Sequence, residues 1–264
     1  MVDNRFDSSL WKLDRARKHA ADLASEAETF MAASPCQVES VGNGPDGAGR
    51  LRVAHVIPLP SVMSMIAGDA AHNIRSALDH FAWAAADPSV RNRQTCFPIG
   101  NGATAHDRDK WRSQVERQLR GATPQLISAV EAMEPWQGGR DQHLWMIHEL
   151  DRIDKHRLHL SLAASLTGIA MHGDSYALTV AKKFSGAKLD APLALEPIAW
   201  TPVAEDTVLV LPLADAGIGV TETSLTFGIM FSEPPALRKV PAALALGALA
   251  DAAGETIRNL SLFA

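Results

Sequence analysis

Residues 60–86 read PSVMSMIAGDAAHNIRSALDHFAWAAA, and their periodicity sets how the rest of the chain is read. Successive residues of an α-helix turn by about 100°. On that wheel Met63, Ala67, Ala70, Ile74, Ala77, Leu78, Phe81 and Ala85 fall on one side, an apolar stripe of the kind that faces a core. Pro60 and Ser61 suit the start of this helix, and Asp87-Pro88 ends it. The opposite side collects Met65, Asp69, His72, Ser76, Asp79 and Trp83. A solvated face normally carries Lys and Glu. This one has neither, so it is expected to be covered or to line a cleft.

Working outward, a first helix is expected over residues 8–33, capped by Ser8 or Ser9. Leu13, Ala16, Ala20, Leu23, Ala27 and Phe30 share one of its faces. Residues 37–57 read as two short strands around GNGPDGAG at 42–49. That loop lacks the glycine spacing, the following helix and the Lys-Ser/Thr of phosphate-binding motifs, so it is read as a turn. Beyond Pro88, helices are expected over about 107–120 and 124–134, with Thr123-Pro124 as cap and first position. A further helix spans 141–163. After Gly168 the period changes: SYALTVAKK, DTVLVLPLA and VTETSLTFGIMFS have strand character. A final helix runs from about Pro241 to Leu260. The fold class is therefore α+β, a helical bundle with a small antiparallel sheet, mostly C-terminal. The expected division is residues 1–165, the bundle with its inserted hairpin, and residues 166–264, a strand-rich segment closing with a helix.

Composition narrows the class. The chain has 264 residues, 47% hydrophobic and 21% charged, with a formal net charge of −5. These values exclude a disordered chain, a coiled-coil rod and a strongly basic nucleic-acid coat. The N-terminus is charged from Asp3 onward and no apolar run of about 18 residues occurs, so no membrane partner is expected and a cytoplasmic location is. Cys36 and Cys96 form neither a Cys-x-x-Cys pair nor a disulfide framework.

The chemistry concentrates on two helices. In DQHLWMIHELDRIDKHRLHLSLA (141–163), Met146, Ile147, Leu150 and Ile153 form one face. Trp145, His148, Arg152, Lys155 and His159 form the other, with Asp151 and His156 at its margins. Six of the ten histidines lie at His72, His80, His143, His148, His156 and His159. If the polar faces of the two helices meet, they form a shielded cluster with perturbed pKa values, the usual mark of a functional site. Trp83 and Trp145 are expected as packing anchors.

Three chemistries fit. In the first, His80 exchanges a proton near neutral pH and Arg75 stabilises a phosphorane, which suits RNA cleavage through the 2′-hydroxyl. Five residues apart is about 140° on a regular helix, so Arg75 and His80 do not share a face. They converge only across a helix irregularity or at a dimer interface. In the second, Asp69-x-x-His72 and His148-x-x-Asp151 place carboxylate and imidazole one turn apart on each helix, as in helical-bundle metal sites, with Asp79 and Asp154 as further oxygen donors. Such a site suits Mn, Fe or Zn in a hydrolase or oxygenase acting on a small molecule. In the third, the polar cluster only specifies packing and the chain is a non-catalytic dimeric binding protein.

HNIRSALDHFAW at 72–83 and HELDRIDKHRL at 148–158, with RARKH at 15–19, resemble the signature blocks of a widespread uncharacterised bacterial family over roughly residues 10–160. That resemblance brings no activity. The Arg-x4-His block further resembles HEPN domains, many of which are dimeric, metal-independent ribonucleases of toxin or defence systems. That resemblance implies RNA as a partner, a homodimer, no cofactor, and catalytic roles for Arg75 and His80. His72, Asp79, Arg152, His156 and His159 would then line the site.

Overall fold

The computed structural model describes residues 4–43, 49–101, 107–157, 160–172, 208–210 and 222–264. It is α+β. In chain order the elements are α1 (Asp7–Ala32), β1 (Cys36–Asn43), β2 (Gly49–Val56), α2 (Ser61–Ala85), α3 (Arg108–Gln118), α4 (Pro124–Glu131), α5 (Gln142–Arg157), β3 (Leu162–His172), β4 (Val208–Val210), β5 (Glu222–Phe231) and α6 (Ala242–Ser261). Among the described residues no helix is long and apolar enough to cross a membrane. The chain divides into two compact units. One holds Met1–Ser25, Ser61–Ser161 and Glu233–Ala264, and the other Glu26–Pro60 and Leu162–Ser232.

The first unit is helical and is centred on α2, which packs against α5 and α6. All eight residues of the apolar stripe of α2 are buried. Small residues let α6 come close: a Cβ on Gly254 would lie 3.3 Å from Leu13, and Ala245, Ala250 and Ala253 are buried with it. Below α2, Trp111 of α3 meets Trp136 edge-on at 5.7 Å, and its indole donates to the Glu131 carbonyl at 3.1 Å. Thr123 caps α4 by accepting from Leu126 N, with Pro124 at the first helical position as the sequence reads.

The second unit carries the strands. β1 and β2 pair antiparallel with irregularities at Gln37/Val38 and Ser40/Gly42, and β4 joins the other edge of β2. β3 and β5 form a separate antiparallel ribbon from Leu162↔Phe231 to His172↔Glu222.

Three expectations need correcting. α1 starts at Asp7 after a single 3₁₀ turn, so neither Ser8 nor Ser9 is its cap, and Ser9 is fully buried. The helix expected to reach Ala163 ends at Arg157, and Leu162 already belongs to β3. The stretch Leu158-His-Leu-Ser-Leu162 alternates apolar and polar residues, which is the period of a strand. The third correction concerns cover: Met65 is 61% exposed and Trp83 45%, so the polar face of α2 is not covered and Trp83 is no packing anchor, while Asp79 and Trp83 do line a cleft as expected. SYALTVAKK and His159 lie outside the described residues.

Candidate functional site

The polar residues of α2 and α5 meet in two places, both in the helical unit. The first is a chain of hydrogen bonds across the α2–α5 contact. At the contact, the carboxylate of Asp154 occupies the space beside Gly68, where a Cβ would fall 2.2 Å from its Oδ1. A turn further along, His72 Nδ1 lies 2.9 Å from Asp151 Oδ1. Asp151 is 5% exposed, and its second oxygen accepts from Lys155 Nζ at 2.6 Å. On the outer side, Ser76 Oγ lies 3.3 Å from His72 Nε2.

The second place is built on Arg75, which is buried. Its guanidinium clasps Asp79 one turn on, Nη2 to Oδ1 at 2.7 Å and Nε to Oδ2 at 3.2 Å. Nη2 also donates to the Phe97 carbonyl at 2.9 Å, while Phe97 N donates to Asp79 Oδ1 at 3.0 Å. This knot ties the segment Thr95–Ile99 to α2. It sits beside His148, whose imidazole is held below its ordinary pKa first by burial and then by the Arg75 charge. Arg75 Nη1 and His148 Nδ1 are both buried without a hydrogen-bond partner among the described residues.

Above the knot lies a cleft of about 620 Å³ at the C-terminal end of α2, with Arg5, Asp79, His80, Trp83, Arg91 and Thr95 in its lining. Arg91 donates to the carbonyls of Ala84 and Ala86 at 3.0–3.4 Å. That satisfies the last carbonyls of α2 and puts a cation at the negative end of its dipole. The same guanidinium sits 5.5 Å from the Trp83 ring centre, a cation–π contact. Arg5 donates to the Ala264 carbonyl at 3.0 Å and covers the Phe6 ring.

The sequence-predicted residues therefore separate. His72 and Asp151 come together, as do Arg75 and Asp79. His80 shares the cleft with Asp79, but Arg75 does not line it. Arg152 is exposed and paired with Glu149, and His156 is exposed. The donors of the metal reading do not fit a metal. Asp69 is exposed, both oxygens of Asp151 are engaged, and the described residues hold no cluster of three His, Cys, Asp or Glu side chains that could bind one.

Sequence reasoning missed Arg5, Arg91 and the contact between Ser76 and His72. An arginine just past a helix end is a known partner for terminal carbonyls, and Ser76 was visible one turn after His72. Nothing local in the sequence pointed to Arg5. Comparison of the chain with protein-family models, curated proteins and solved structures finds no match.

Proposed function

We propose that the cleft at the end of α2 binds and cleaves RNA without a metal, with His80 as general base. The observation that carries this reading is the company His80 keeps: two guanidiniums and a half-exposed indole share its cleft. The carboxylate in the lining, Asp79, is paired with Arg75, and the guanidiniums of Arg5 and Arg91 add donors toward which a phosphate is drawn. Trp83 offers a face on which a base stacks. His80 removes the proton of the 2′-hydroxyl, whose oxygen attacks the adjacent phosphorus. The arginines stabilise the phosphorane, and the 5′-oxygen leaves with a proton from water. The resemblance to HEPN domains supports the same class, with one change: Arg75 acts here by fixing Asp79 and Phe97 rather than by touching phosphate.

The test is cleavage of single-stranded RNA in EDTA. His80→Ala is expected to lower the rate by on the order of 10²–10⁴-fold, with 2′,3′-cyclic phosphate ends on the wild-type products. Trp83→Ala is expected to weaken RNA binding by roughly 1–3 kcal/mol. RNA left intact by the wild type, or cut equally by His80→Ala, refutes the reading. The homodimer that the HEPN resemblance implies is read by light scattering of the same preparation.

A further inference from the structure

The geometry points to Ser76 as an activated nucleophile, the outer member of a Ser76–His72–Asp151 triad that takes acyl groups from neutral activated esters. The arrangement is a nucleophile within reach of a base that is itself oriented by a third group, which is how such sites are recognised whatever their order in the chain. Protonation follows from the partners. A carboxylate only accepts, so the contact of 2.9 Å to Asp151 puts the neutral imidazole's proton on Nδ1. Nε2 then carries the lone pair, and it faces Ser76 Oγ at 3.3 Å. Serine inside a helix ordinarily bonds the backbone carbonyl a turn earlier. Ser76 instead makes its one side-chain hydrogen bond among the described residues to His72.

Exposure grades in the order the chemistry needs. The Asp151 side chain is 6% exposed and the His72 side chain 47%, so the acid is sheltered while the base and hydroxyl meet incoming molecules. Lys155 holds the far oxygen of Asp151 at 2.6 Å, which fixes the carboxylate and leaves Oδ1 for His72. Asp151 and Lys155 are positioning residues; Ser76 and His72 touch the reacting atoms. The open face beside them carries the exposed Met65 and the exposed carboxylate of Asp69. That pairing favours an apolar, uncharged acyl donor over an anionic one.

The steps balance without a cofactor. Ser76 Oγ bonds to the ester carbonyl carbon as its proton passes to His72 Nε2. The carbon–oxygen bond to the leaving group breaks, and His72 returns the proton to that oxygen. Water, deprotonated by the same imidazole, then attacks the acyl-serine, releasing a carboxylic acid and restoring Ser76.

The experiment uses the full chain with a fluorophosphonate probe and p-nitrophenyl butyrate. One phosphonyl adduct on Ser76 is expected by tandem mass spectrometry, together with turnover of the ester. Ser76→Ala should lose both with an unchanged melting temperature, and His72→Ala should slow labelling by on the order of 10²–10⁴-fold. Asp151→Asn should lower the maximal labelling rate rather than raise the probe concentration at half-saturation, a split that a purely structural role would not produce. Should that variant fail to fold, Lys155→Met provides the same readout. Ser113→Ala, on the exposed side of α3, is the control and should label as wild type. An unlabelled Ser76, or equal labelling of Ser76 in His72→Ala, overturns the inference. Neither result bears on RNA cleavage at His80.

Discussion

Arg75 carries the sharpest residue-scale consequence. A buried guanidinium that satisfies a carboxylate and a carbonyl cannot be removed without leaving the charge of Asp79 uncompensated and the Phe97 carbonyl without its donor. Breaking such a pair costs about 3 kcal/mol, the lower end of the usual range, because the Asp79 side chain is 35% exposed and water partly screens it. Arg75→Ala is therefore expected to lower the denaturation midpoint strongly, and Arg75→Ala/Asp79→Ala to recover part of the loss. A double-mutant cycle in urea measures the coupling. A fully stable Arg75→Ala protein would return this residue to the phosphate chemistry that the sequence suggested. The contrast explains what was legible. The helical wheel separated Arg75 from His80 correctly, since that is intrinsic geometry. It put Asp151 at the margin of a polar face, whereas the residue is buried against α2. Which flank of α5 meets α2 depends on how the two helices pack, and a single helix does not encode that.

At the scale of elements, Gly68 lies at the α2–α5 contact. In an exposed helix, replacing glycine by alanine stabilises by roughly 1 kcal/mol. Here the added methyl would sit 2.2 Å from Oδ1 and 2.6 Å from the carboxyl carbon of Asp154, so the end of the Asp154 side chain must turn aside. Gly68→Ala is thus expected to gain less than the roughly 1 kcal/mol of helix propensity, because turning Asp154 aside offsets part of it. Thermal or chemical denaturation decides, and the full gain of about 1 kcal/mol would mean that Asp154 turns aside without cost. Elements with punctuation were read well. Thr123-Pro124 opens α4 where the capping rule puts it, and the eight apolar residues of α2 are all buried. The end of α5 was misjudged because Ile153 and Leu150 continue a helical stripe toward Leu160, masking the alternation that starts at Leu158. The pairing of Leu162–His172 with β5, sixty residues away in sequence, is what settles that segment as strand. No local window contains that partner.

At the scale of the molecule, two half-buried histidines link the helical unit to pH. His148 is held below its ordinary pKa by burial and then by Arg75, and His143 by burial against smaller opposing effects of Asp141 and Glu255. Both lie in the unit that holds α2 and the cleft. In the unfolded chain these imidazoles take up a proton near pH 6.5, whereas the folded chain resists until the pH is lower. The unfolded state therefore binds more protons in that window, and stability rises with pH. The contribution is complete above about pH 6.5 and drains away as the pH falls toward the folded values. The carboxylates act in a lower window. Asp87 and Asp107 are held below their ordinary value, chiefly by hydrogen bonds with Ser89 and Lys110 respectively, so their contribution is present above about pH 4 and is lost only below it. Melting temperature should fall in two steps on acidification, the first setting in as the pH drops below about 6.5. In His148→Gln the first step should shrink while the second stays, because glutamine fills the site without a titrating group. An unchanged first step in His148→Gln and His143→Gln together would show that burial of these imidazoles does not govern the acid response.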